Sequence, residues 1–136
     1  MKIEVNMLEG QQLKASFGDH EIISDQSINV GGSAAYPEPF DYFLASMPLC
    51  AAFYIRQFCL SRDISTEGIK VIQNNENVLD AQGESTDKYK KKMAISVELP
   101  ESFPKKYKKA LIASANTCTV KKVIQAMPEF DITIAE

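Results

Sequence analysis

Histidine occurs once in this chain, at His20, and cysteine three times, at Cys50, Cys59 and Cys118. There is no Cys-x-x-Cys pair, histidine cluster or other metal-ligand spacing, which excludes a metal centre of the familiar kinds. No glycine motif with phosphate-binding spacing is present either, and Gly31 and Gly32 read as turn glycines. No run reaches the ~20 uninterrupted apolar residues that span a bilayer, and MKIEVNMLEG lacks the continuous apolar segment of a secretory signal. The expectation is a soluble, cytoplasmic chain with no membrane partner. Three cysteines without such a signal do not make a secreted disulfide framework, so free thiols or one reactive pair are expected. The formal charge of -3 argues against nucleic acid as a partner. The lysine runs KYKKK (88–92) and PKKYKK (104–109) read as the wet faces of a strand and a helix.

What is present is a chain of 136 residues, 45% hydrophobic and 24% charged, enough for one domain spanning 1–136 with a real core. No repeat, low-complexity tract or linker divides it. Lys2 to Leu8 and Gln12 to Ser16 read as a hairpin around Glu9 and Gly10, with His20 to Ser24 as a third strand. NVGGSAAYPEP (29–39) is a loop, and Pro39 suits the first turn of a helix running to about Ser61. That helix is apolar on several faces, which predicts that it is mostly buried. Gly68 to Gln73 reads as a strand, Asn74 to Asp87 as a polar turn region, and Tyr89 to Leu99 as a strand pointing Met93, Ile95, Val97 and Leu99 inward. Pro104 opens a helix through Ser114, a short helix follows over Cys118 to Met127, and Phe130 to Ala135 reads as a closing strand. The fold class is α+β with antiparallel sheets. A long apolar helix on so small a chain needs more cover than one sheet supplies, which predicts a homodimer.

The thiols carry the chemistry. In one helix the nine residues from Cys50 to Cys59 correspond to about 900° and a rise of about 13.5 Å, too far for a disulfide, so a redox partner for either must lie elsewhere in the chain. Only Cys118 remains. Pro48, two residues before Cys50, removes the bond that the Leu44 carbonyl would receive and predicts a bend beside the thiol; a kinked core helix with a buried cysteine is the plainer alternative. Cys118 sits at a predicted helix start followed by Lys121 and Lys122, where unpaired N–H groups favour a thiolate, so it is expected to be the more acidic thiol. Asp41 falls in the first turn of the long helix, where a carboxylate suits the macrodipole; a role near Cys50 is the competing reading. His20 reads as a solvated turn residue and Cys59 as packing.

Two segments, PEPFDYFLASMPLCAAFYIRQFC and NTCTVKKVIQAMPEFDI, resemble the OsmC-like family, which includes the organic hydroperoxide resistance proteins. The resemblance covers essentially the whole chain. It implies an intertwined α+β homodimer with the long helices buried centrally and two sites at the subunit interface. It also implies a cofactor-free thiol peroxidase in which Cys50 attacks a small-molecule hydroperoxide or related electrophile and Cys118 resolves the sulfenic acid as a disulfide, which a dithiol reductant then opens. A thiol sensor or small-molecule binding protein on the same scaffold is the alternative. Peroxidase branches use an arginine from the N-terminal half to hold the thiolate, whereas residues 1 to 49 contain none. The family's helix glutamate falls at Phe40, with the acidic Asp41 one position later.

Overall fold

The computed structural model describes residues 1–135, in two compact units that divide between Ser46 and Met47. In the first, β1 (Glu4–Met7), β2 (Leu13–Phe17) and β3 (His20–Ser24) form an antiparallel sheet in the order β1-β2-β3. Gly18 and Asp19 join β2 to β3 as a two-residue turn between the paired Phe17 and His20, and Gly18 supplies the positive φ of 56° that such a turn requires.

The loop after β3 is organised by one carboxylate. Asp25, 1% exposed, accepts hydrogen bonds from the N–H groups of Gln26, Ser33 and Ala35 and from the Ser33 hydroxyl. A buried charge is tolerated where it is met by this many donors. A 3-10 turn, Ile28–Val30, crosses the loop's outer part.

Helix α1 (Pro39–Leu60) begins in the first unit and ends in the second. Its start is fixed by Asp41, whose carboxylate accepts the Glu38 N–H at 2.9 Å while the Asp41 N–H donates to the Glu38 carbonyl at 3.0 Å. This is the carboxylate half of a capping box. The helix continues through Pro48.

In the second unit, β4 (Lys70–Asn77) pairs antiparallel with β5 (Lys91–Glu98). Met93, Ile95, Val97 and Leu99 alternate half-buried with exposed neighbours, as the period of two predicts. β4 runs past Gln73 into the stretch expected to turn, because Asn74 to Asn77 keep their ladder partners, and the Lys91 ammonium donates to the Asn77 side chain at 2.6 Å. Pairing overrides the weak strand propensity of these polar residues. The chain then forms a 3-10 turn over Lys105–Tyr107, α2 (Lys108–Ala115) and α3 (Thr119–Gln125). Ile55, Phe58, Cys59, Phe103 and Leu111 make the core, flanked by Val71, Val97, Leu99 and Tyr107.

Two expectations are corrected. Within the chain α1 is not mostly buried: Met47, Ala51, Ile55, Phe58 and Cys59 are covered, but Leu49, Phe53 and Leu60 are 69%, 53% and 60% exposed. One small sheet and two short helices cover a single stripe of a 22-residue helix. Residues 130–135 form no strand, although Phe130, Ile132 and Ile134 alternate as a strand should. No segment of the described chain pairs with them, and a strand without a ladder partner has no structure to adopt.

Candidate dithiol site

Met47, Ala51, Ile55 and Phe58 face the core, and Leu49, Phe53 and Leu60 face solvent on the opposite side. At about 100° per residue, Cys50 and Tyr54 fall on the border between these stripes. Cys50 is accordingly half-buried.

Cys118 meets it from the far side. It is the N-cap of α3, not part of its first turn, and its Sγ accepts the Lys121 N–H at 3.5 Å. The thiol also lies 3.8 Å from the Met47 carbonyl, to which it donates. The same S–H is also within reach of the Cys50 sulfur and can turn to it from the Met47 carbonyl when Cys50 is a thiolate.

These contacts separate the thiols in acidity, opposite to the sequence-based expectation. Burial pushes Cys50 up, but the Val120 N–H, the Cys118 S–H and the Thr119 N–H all stabilise its thiolate, and it lies below the ordinary thiol value of 9.0. Cys118, only 2% exposed, is pushed above that value by burial, with the neighbouring Cys50 charge adding to the rise against the Lys121 N–H. Cys118 too is met by backbone N–H groups, those of Lys121 and Val120, so its deeper burial and the neighbouring Cys50 charge decide the order. Cys50 is therefore the more acidic thiol.

Cys59 is fully buried in the core and raised by desolvation, with the nearby Arg62 charge opposing. The Arg62 guanidinium lies 3.8 Å from the Phe58 ring centroid as a cation–π partner. Asp41 is engaged at the start of α1, as described above. His20 is exposed and rests near the Phe17 ring. Among the described residues no group of three or more His, Cys, Asp or Glu side chains comes together to hold a metal. A cleft of about 180 Å³ opens beside Cys118, apolar along Met47, Met93, Ile95 and Ile112, with Asn116 and Lys121 at its polar end. The Lys121 ammonium donates to the Asn116 side chain there at 2.9 Å.

Sequence reasoning passed over Tyr54 and Thr119. The Tyr54 hydroxyl and Thr119 Oγ1 share a hydrogen bond of 2.8 Å, and the Ser114 hydroxyl donates to the Tyr54 carbonyl at 3.3 Å. A signal was available: Tyr54 is one helical turn beyond Cys50, and its hydroxyl is the one polar group on an otherwise apolar stripe.

The arrangement defines a dithiol protein on an α+β scaffold, with an acidic thiol on a long helix and a buried partner at a second helix start. A family model described as OsmC-like protein matches residues 31–133, and the chain belongs to that family. Two solved structures share the fold. The osmotic stress induced and detoxification response protein of Psychrobacter arcticus 273-4 is 18% identical, with a TM-score of 0.67 over 90% of this chain and 86% of its own. The organic hydroperoxide resistance protein OsmC of Legionella pneumophila is 19% identical, with a TM-score of 0.52 over 92% and 90%. No curated protein sequence matches the chain.

Proposed function

We propose that this chain is a thiol-dependent redox protein of the stress response that reduces organic hydroperoxides, with Cys50 as nucleophile and Cys118 as resolver. The observation that carries the reading is the pair itself: the Cys118 thiol reaches the helix of Cys50 at the Met47 carbonyl, 3.8 Å away, beside a half-buried Cys50 whose thiolate the surrounding donors favour. The hydroperoxide resistance of the Legionella protein that shares the fold supports the same class of substrate.

In the first step the Cys50 thiolate attacks the distal peroxide oxygen, the O–O bond breaks, and the leaving alkoxide takes a proton to become the alcohol. Cys50 is left as a sulfenic acid. In the second step Cys118 attacks that sulfur, a disulfide forms, and the sulfenic oxygen departs as water with the Cys118 proton. A small dithiol then reduces the disulfide and is itself oxidised to a cyclic disulfide. Asp41 contributes by fixing the start of α1, the active unit is a homodimer, and the compartment is the cytoplasm.

The second reading is a thiol sensor or small-molecule binding protein, favoured by the apolar cleft beside Cys118. One experiment separates the two. The reduced protein and its Cys50→Ser and Cys118→Ser variants are treated with one equivalent of cumene hydroperoxide and mapped by mass spectrometry. A fast Cys50–Cys118 disulfide, with sulfenic acid trapped on Cys50 in the Cys118→Ser protein, is expected. Thiols that stay reduced for minutes overturn the peroxidase reading and leave the binding one.

A further inference from the structure

Cys118 lies in a short connection between two residues that are both tied to Tyr54. On one side Ser114, in the last turn of α2, donates its hydroxyl to the Tyr54 carbonyl at 3.3 Å. On the other, Thr119, the first residue of α3, shares a 2.8 Å hydrogen bond with the Tyr54 hydroxyl. Within the bracket Thr117 folds back, its hydroxyl donating to the Ser114 carbonyl at 2.6 Å. The N–H groups that meet Cys50 belong to Thr119 and Val120, at the end fastened by the tyrosine hydroxyl. Tyr54 itself follows Cys50 by one helical turn, so the sulfur and the tyrosine that fastens its donors are set on one rigid element.

The geometry points to Tyr54 and Thr119 as a positioning pair, whose hydrogen bond holds the Thr119 and Val120 N–H groups on the Cys50 sulfur. This pair does for the thiolate what a cationic side chain could do, using oriented backbone dipoles. It rests on Cys50 being the reacting thiol, as proposed above, but concerns its ionisation and not its turnover. A hydrogen bond to a charged acceptor weakens steeply with misalignment, so releasing Thr119 loosens both donors together.

The test is the pH dependence of iodoacetamide alkylation, resolved for each cysteine by peptide mass, in the full-length protein and in Tyr54→Phe, Thr119→Val and Thr119→Ser. Tyr54→Phe and Thr119→Val are expected to move the Cys50 midpoint upward by about half a pH unit, or roughly threefold less thiolate at neutral pH. Thr119→Ser keeps the hydroxyl and is expected to stay with the wild type. Cys59, buried in the core, serves as the folding control and stays unreactive in each. Thr119 is exposed, so its isosteric replacement leaves packing in place. A Cys50 midpoint unchanged in Thr119→Val overturns the proposal. No peroxide enters the assay, so a wild type that consumes no hydroperoxide defeats the proposed function and leaves this result readable.

Discussion

The Cys118 thiol donates to the backbone carbonyl of Met47 at 3.8 Å, three residues ahead of Cys50 on the same helix. Its sulfur therefore touches α1 at two points, the Met47 carbonyl and the Cys50 thiol, while the Lys121 N–H holds it from its own helix. In the resolving role proposed above, Cys118 is buried, close to Cys50 and held above the ordinary thiol range by that burial. Burial shields it from free peroxide, and proximity favours its reaction with a sulfenic acid on Cys50.

The three thiols are expected to alkylate in the order Cys50, Cys118, Cys59. Cys50 is lowered below 9.0 and half-exposed, while the other two are raised and buried. Only the thiolate reacts, so the Cys50 rate rises with pH through a midpoint below that of a free thiol, and the others follow above it. Replacing Cys118 with alanine removes one of the three donors and moves the Cys50 midpoint up. Peptide-resolved alkylation between pH 6 and pH 10, read to the nearest half unit, checks both.

Leu111 is fully buried and packs with Ile55 and Phe58 at the centre of the second unit. Leu111→Ala leaves a void that α2, only eight residues long, cannot close by itself. A loss of about 2–5 kcal/mol is expected from the removed contacts and the cavity together. Ile112→Ala, one position along the same helix but 45% exposed, is expected to cost under about 1 kcal/mol. Urea unfolding of the two variants side by side measures the difference.

Much of this architecture was legible because local signals and tertiary contacts agree. Pro39 begins α1 where a proline belongs, and Met93 to Leu99 alternate because one face of β5 is covered. The dithiol pair was legible through the family motifs. Its polarity was not: placing Cys118 at a helix start led to the opposite acidity order, because the N–H groups of Lys121 and Val120 do favour its thiolate but are outweighed. Burial, which no spacing reports, then pushes the Cys118 thiol the other way. The extension of β4 to Asn77 was hidden for a related reason, since its polar residues are held by partners on β5, 14 residues later at Lys91.

Asp25 makes the first unit acid-sensitive. Its donors, the Ser33 hydroxyl foremost and then the Gln26 N–H, hold its pKa at about 2 against an ordinary 3.8, although burial opposes them. A carboxyl lowered by folding adds stability that is fully present above pH 3.8 and is lost as pH falls toward 2. Asp25→Asn is expected to lower the melting temperature at neutral pH and to flatten its dependence on pH across that window. Thermal melts at pH 2, 3, 4 and 7 check the sign.

Gly32 is required by the same loop for space. A Cβ there would lie 1.9 Å from the Gln26 carbonyl oxygen, and that oxygen already accepts the Ala34 N–H at 3.0 Å. Backbone cannot yield as a flexible side-chain end can, so Gly32→Ala must displace the turn that presents Ser33 to Asp25. A cost of about 1–3 kcal/mol is expected. Combined with Asp25→Asn it is expected to cost less than the sum of the two, because each breaks the same network. A double-mutant cycle by chemical denaturation measures that shortfall.

Leu49, Phe53 and Leu60 recur at helical spacing on one face of α1, 69%, 53% and 60% exposed, with Arg56 between them. Such a stripe is too apolar to rest in water and too regular to be scattered surface. Under the proposed homodimer it packs against a second copy, and Phe130, Ile132 and Ile134, all more than 85% exposed, gain a ladder partner in the same assembly. Phe53→Asp places a charge in the middle of the stripe and is expected to weaken association at least tenfold, the effect of losing one central aromatic contact. Arg56→Ala, which removes only a charge that can reach solvent, is expected to leave the dimer nearly intact. Sedimentation equilibrium of the three proteins decides the matter: a wild type that is monomeric at high micromolar concentration would leave this face without the partner proposed for it.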